Sequence, residues 1–168
     1  MTNLKRWRVN FNQEFDLNTK THLSANYYRV SDIDYFKDIA QTNTDLKTLK
    51  SNLTLTYNDE ENHFSSSLLT EDEQVVNAGV PGYTRALEVS VSKTFRADKK
   101  IPIQVDLVRT KFAHDTASKE SGVRTHGNLG ISRKLDTKFP VITPRASVAI
   151  TNYSLKNSPD NVSNTHIT

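Results

Sequence analysis

The chain has 168 residues, a formal charge of +3 and no cysteine. That length fits one domain, the lack of thiols excludes disulfides and thiolate metal sites, and the interspersed charges exclude a basic nucleic-acid tail, so no nucleic-acid partner is expected. Only 35% of residues are hydrophobic, short of the ~45–50% of an ordinary soluble domain, yet they recur in order instead of thinning out as in a disordered chain.

Period two governs that order. Trp7, Val9, Phe11, Phe15 and Leu17 alternate with Arg8, Asn10, Asn12, Glu14 and Asp16, which predicts a strand with one apolar and one polar face. A turn at Asn18 and Thr19 leads to Leu23, Ala25 and Tyr27. Residues 31 to 45, opening SDIDYFKD, predict a long loop with Asp32, Asp34 and Asp38 in water. Leu49, Leu53, Leu55 and Tyr57 resume the alternation, the turn NDEEN follows, and Phe64, Ser66 and Leu68 form the next strand. The acidic run Glu71-Asp72-Glu73 lacks the spacing and glycine of a calcium loop, so it is expected to be part of a solvated loop around Thr70 to Gly82.

The second half repeats the scheme. Leu87, Val89, Val91 and Phe95 alternate with polar residues, RADKK turns, and Ile101, Ile103, Val105 and Leu107 follow. Residues 122 to 134 give a weaker strand through Val123, Leu129 and Ile131. Ala146, Val148 and Ile150 lead to Tyr153. The expected fold is therefore all-β, an antiparallel up-and-down meander of about eight strands, with 31–45 and 70–82 as the longest connections and on the same end.

Several runs exceed the five or six residues usual in soluble sheets. Length, alternation and low hydrophobicity match the transmembrane β-strands of ~9–11 residues that build membrane barrels. No run approaches the ~20 apolar residues of a membrane helix. The opening MTNLKRWRVN also lacks the apolar stretch of a secretory signal. The expectation is a cytoplasmic chain or an internal piece of a longer one. In a barrel, Trp7, Tyr27, Tyr28, Tyr57 and Tyr153 become candidates for an aromatic girdle at the lipid–water boundary. The alternative for the opening segment is a hairpin that packs Tyr35 and Phe36 on its own sheet.

No catalytic chemistry emerges. The five histidines, His22, His63, His114, His126 and His166, show neither zinc-site spacing nor a nucleophile elbow nearby, and His63 reads as a turn residue. Neither an enzyme, a metal site nor a cofactor is expected.

NYYRVSDIDYFKDI, residues 26–39, resembles a strand-and-loop segment of the outer-membrane lipopolysaccharide-assembly proteins of the LptD type. RWRVNFNQEFDLN resembles the strand before it, LKSNLTLTYNDEENHFSSSLLTEDEQ the hairpin after it, and GYTRALEVSVSKTF a segment that commonly reads PYxRxPQL. GVRTHGNLGISRKLDTKFPVITPRASVAITNYSL resembles a further passage of the family. Ala86-Leu87 stands where Pro-Gln is common, and Leu129-Gly130 replaces a proline before Ile131-Ser132.

The resemblance implies that residues 1–168 are a front-half part of the large C-terminal barrel, without the jellyroll domain and the remaining strands. It implies a place in the translocon that inserts lipopolysaccharide into the outer leaflet of the cell outer membrane. The implied partners are lipopolysaccharide, outer-membrane lipid, a lipoprotein plug of the LptE type and periplasmic bridge proteins. If the apolar faces meet lipid, several of Arg85, Lys93, Arg109, Lys111, Arg124, Arg133 and Arg145 would face the lumen and meet anionic phosphates, which arginine binds well; alternatively they sit at strand ends or pair with lumenal carboxylates. Two other functions stay open: a self-closed eight-stranded barrel, porin-like or adhesive, and a soluble β-sandwich binding module.

Overall fold

The computed structural model describes residues 5–40, 46–77, 79–98, 101–116, 119–135, 142–156 and 163–167. They form one antiparallel sheet of nine strands in sequence order. The strands are β1 (Arg8–Asn18), β2 (Thr21–Val30), β3 (Thr48–Asp59), β4 (Phe64–Val75), β5 (Tyr83–Asp98), β6 (Ile101–His114), β7 (Ser121–Ser132), β8 (Arg145–Lys156) and β9 (Ser163–Ile167). Eight coincide with the runs of alternating residues, and the meander is the one they predict. The short ninth, SNTHI, carries a single large apolar residue and so gives no period-two signal.

The strands are long, and their ladders continue through a few local register shifts. β5 runs 16 residues and β6 runs 14, and they pair from Tyr83↔His114 to Asp98↔Ile101. One register shift lies between Arg85 and Leu87. The extra residue there is Ala86, the position where the resembled segment carries proline, and bulges tolerate proline because they release a ladder bond.

No second sheet packs on this one among the described residues, and the buried apolar residues are only Val30, Phe36, Leu49 and Val76. A sandwich closes two inner faces over a shared core, and this sheet has no such layer. Nor do its edges meet: β1 pairs only with β2, and β9 only with β8.

The connections alternate between two ends, as a meander requires. At one end, the segments around Ile33, Lys47 and Asn77 are laced together. The Asn77 N–H donates to the Ile33 carbonyl at 2.9 Å and the Val76 N–H to the Lys47 carbonyl at 2.9 Å, while the Asn77 side-chain amide donates to the Leu46 carbonyl at 2.9 Å. Asn77 adopts φ 49°, a left-handed conformation that asparagine tolerates better than most residues. At the other end, the turn at Lys20 meets the 60–63 turn: the Asn58 N–H donates to the Lys20 carbonyl at 2.8 Å, and Lys20 pairs with Asp59 at 3.0 Å. His63, also at φ 49°, is a turn residue, as its sequence position suggests. The loop 31–45 and the connection before Gly82 thus share an end. Residues 41–45 of that loop, Ala78, and residues 99–100 of the RADKK turn lie outside the described residues.

Two expectations need correction. β4 continues through Thr70 and the acidic run to Val75, paired with β3 up to Thr48↔Val75, so Glu71-Asp72-Glu73 is strand and not loop. The backbone ladder persists where both faces are polar, and without an apolar face the period-two signal vanishes. The connection before β5 therefore spans only 76–82. The 133–144 connection is longer and lies at the opposite end, extended as a hairpin by bonds from the Arg133 N–H to the Pro144 carbonyl and from the Leu135 N–H to the Ile142 carbonyl. Long loops are not confined to one end.

The small core sits in the loop end. A turn of π-helix, Phe36–Ala40, brings Phe36 against Tyr28 edge-on, with ring centroids 6.4 Å apart. Phe36 clusters with Val30, Leu49 and Val76, and Tyr28, Tyr35 and Leu46 pack around it. β2 and β3 pair only as far as Asn26↔Asn52; beyond that point two side chains take over the ladder. The Tyr28 N–H donates to Ser51 Oγ at 3.0 Å. Gln74 accepts from the Val30 N–H at 3.0 Å and donates to the Val30 carbonyl at 2.8 Å. Backbone groups that would otherwise be orphaned in the cluster are thereby satisfied.

Candidate functional site

Directly paired residues in an antiparallel sheet point to the same face, so the register sorts every side chain. One face carries Phe11, Tyr27, Leu53, Leu55, Leu68, Val89, Val91, Leu107, Leu129, Val148 and Ile150. Most of these apolar residues are solvent-exposed to an unusual degree: Phe11 45%, Leu107 50%, Leu129 54%, Val148 52%. A contiguous exposed apolar band of this extent marks a surface that water does not cover in the working protein.

The opposite face is polar and internally bonded. Arg85 pairs with Glu71 at 2.5 Å and Glu88 at 3.1 Å, and Glu88 accepts from Thr110 Oγ1 at 2.8 Å. Asp106 accepts from Ser92 at 2.6 Å, Gln104 at 3.0 Å and Asn128 at 3.1 Å. His126 bonds Thr151 at 2.7 Å, and Ser67 bonds Ser90 at 2.7 Å. His22 meets Asp16 at 2.8 Å on the same face. Four strands contribute to the Arg85 and Asp106 networks, so the face is a connected polar wall, without the arrangement of a catalytic centre.

The predicted basic residues are divided by this register. Arg85, Arg124 and Arg145 lie on the polar face, opposite Phe112, Thr110 and Ser132 respectively. Lys93, Arg109 and Lys111 lie on the apolar face, paired with Phe64, Val89 and Leu87. Parity decides this: period two gives each strand its two faces, but the bulge at Ala86 moves Arg85 to the opposite side from Leu87. Arg133 follows the end of β7 and is exposed. Arg124 is held over the Phe112 ring, 5.5 Å from its centroid, and its buried Nε has no hydrogen-bond partner. Phe112 in turn faces Gly122, where a Cβ would come within 2.5 Å of the Ser154 carbonyl oxygen. Tyr83, Phe112, Gly122, Tyr153 and Leu155 together line a hollow at the loop end.

The aromatic candidates are divided as well. Tyr27 and Tyr57 belong to the apolar side, and Tyr57 packs on Phe64 with centroids 6.0 Å apart; Trp7 precedes β1 and is exposed. Tyr28 and Tyr153 are on the polar side, opposite Asn10 and Arg124. Consecutive strand residues cannot share a face, so Tyr27 and Tyr28 must part; Tyr28 joins the loop-end cluster, under the guanidinium of Arg8 at 5.3 Å. Phe15, Phe64 and Phe95, all on the apolar side near the turn end, complete a row that a search for tyrosine and tryptophan overlooks.

The loop acids also have partners: Arg6 meets Asp38 at 2.6 Å and Asp32 at 3.7 Å, which raises the Arg6 pKa chiefly through the bond to Asp38. At the turn end, hydrogen bonds from Asn62 and Lys20 push the Asp59 pKa well below the usual carboxylate range. No cluster of three or more metal-ligating side chains occurs among the described residues, and the side chain of His166 lies outside them.

Residues 5–167 match the family model described as "LptD: LPS transport system D". The chain matches no curated protein.

Proposed function

The chain belongs to the LptD family of the LPS transport system, an outer-membrane transport and assembly family and not a family of enzymes, and from that premise we propose that this sheet is a stretch of barrel wall along which lipopolysaccharide reaches the outer leaflet. The observation that carries the reading is the exposed apolar band backed by a connected polar face. In a bilayer the band meets acyl chains and the polar face lines an aqueous lumen. Two unpaired edges would leave backbone N–H and C=O groups in hydrocarbon, so the membrane-embedded form needs further strands joined to β1 and β9. We also place an LptE-type lipoprotein inside that barrel and periplasmic bridge proteins at its turn end, a reading supported by the polar lumen-side face.

Of the basic residues singled out in the sequence, Arg124 and Arg145 are the two we assign to anionic phosphates in the lumen. Both are on the polar face, and neither forms an ion pair among the described residues. Arg85, held between two carboxylates, contributes to the wall and not to the cargo. A photoreactive amino acid at positions 124 and 145 should form adducts with lipopolysaccharide in cells. Absence of adducts at both positions, in protein that reaches the outer membrane, would refute a lumenal route past this wall.

A further inference from the structure

One charged feature lies on the apolar face and outside the lumenal passage. Arg109 and Lys111 are exposed, two residues apart on β6, and so stand on the same face at roughly 7 Å spacing. They begin where the apolar band ends on that strand, directly after the half-exposed Leu107, at the end of the sheet that carries the 31–47 and 76–82 connections. Their β5 neighbours are Val89 and Leu87, and their β7 neighbours are Thr125 and Val123, with Ser154 beyond on β8. The site is therefore apolar on one side and hydroxyl-bearing on the other.

Two other outward cations are neutralised or tethered, while Lys156, opposite Ser121 at the end of β8, is exposed on the same face as Arg109 and Lys111. Arg29 pairs with Asp72, and Lys93 donates to the Asn62 carbonyl at 2.5 Å. Arg109 and Lys111 have no carboxylate partner among the described residues. Two unpaired cations at the rim of a lipid-facing band attract the one anion that the neighbouring phase supplies at that depth. A guanidinium chelates phosphate oxygens through paired N–H groups, and an ammonium adds a point charge.

We infer that Arg109 and Lys111 form an outward-facing site for a phosphate-bearing lipid headgroup in the loop-end leaflet, whose acyl chains descend over Leu107 and Val89. The inference rests on the reading that the apolar face meets lipid.

The test uses the assembled protein extracted from outer membranes in mild detergent. It is incubated with bisphosphorylated lipid A or its fully dephosphorylated form, and bound lipid is counted by native mass spectrometry. Bisphosphorylated lipid A should be retained several-fold better, and the Arg109→Gln/Lys111→Gln variant should lose that preference. Arg29→Gln, which removes an already paired cation, should keep it. Inorganic phosphate at the same concentration should not displace the lipid. Equal retention of the two lipids, an unchanged preference in the double variant, or displacement by inorganic phosphate each overturns the inference. If the double variant loses its heat-modifiable migration, Lys111→Gln alone and the salt dependence of wild-type retention provide the same decision. A nitroxide at position 107 separates the two levels. If it is in lipid while retention ignores the variants, the headgroup site alone fails; if it is in water, the wall reading fails as well.

Discussion

Along β6, Ile103, Val105 and Leu107 look to one side while Gln104, Asp106 and Thr110 look to the other. Among the described residues no second layer covers the first group; the second is tied across strands, Asp106 to Ser92 and Asn128, and Thr110 to Glu88. The apolar side draws its stability from the phase it meets, and the polar side supplies its own partners. A substitution should therefore be judged by the face it lands on, because the same change of chemistry has opposite meanings three ångströms along the strand.

The largest effect expected from this contrast is a charge placed on the wrong face. Val105→Arg puts a cation within the apolar band, between Ile103 and Leu107, and should destabilise the membrane-embedded form by up to ~4 kcal/mol, whereas lumen-facing substitutions are tolerated. Ser90→Arg, on the polar face, should cost far less, with its main loss being the bond to Ser67. Urea unfolding in lipid vesicles, followed by heat-modifiable migration, compares the two. Similar midpoints would break the two-face account.

A second contrast sets the loop-end cluster against the strands. Phe36→Ala removes the ring at the centre of the cluster's contacts with Tyr28 and Tyr35 and should cost about 3 kcal/mol. The loss should be local: protease cleavage within 31–40 should rise while exchange of the β5 and β6 amides stays unchanged. Uniform acceleration across the sheet would mean that the cluster and the ladder are one cooperative unit.

Gln74→Ala sharpens the same point. It strips the Val30 N–H and carbonyl of their side-chain partners, a loss of about 2 kcal/mol at this site. Hydrogen exchange at Val30 should quicken by at least tenfold while Asn26, still within the β2–β3 pairing, is unaffected.

The smallest effect is a titration at the turn end. The Asp59 pKa lies below its unfolded value because Asn62 and Lys20 hold the carboxylate. Its contribution is therefore fully present above the unfolded pKa of about 3.9 and is lost as pH falls below it. Unfolding midpoints at pH 6 and pH 3 should differ less for Asp59→Asn than for the wild type. An equal difference in both proteins would remove Asp59 from the acid response.

What the sequence determined was the ladder and its two faces. Trp7 to Leu17, Leu49 to Tyr57 and Leu87 to Leu107 announce strands because side chains alternate with the pleat, and the family is legible in the 26–39 and 122–155 passages. It failed where a strand has two polar faces, as at Glu71-Asp72-Glu73, or too few apolar residues, as at Ser163–Ile167, since alternation then carries no contrast. Which face each residue takes across the sheet was left to tertiary structure. The bulge at Ala86 turns Arg85 toward the polar wall, while Arg109 and Lys111 face outward, and Phe36 folds back from a loop onto Val30, Leu49 and Val76. Period two fixes parity within a strand, but register between strands depends on long-range pairing, and a one-residue slip exchanges the two faces.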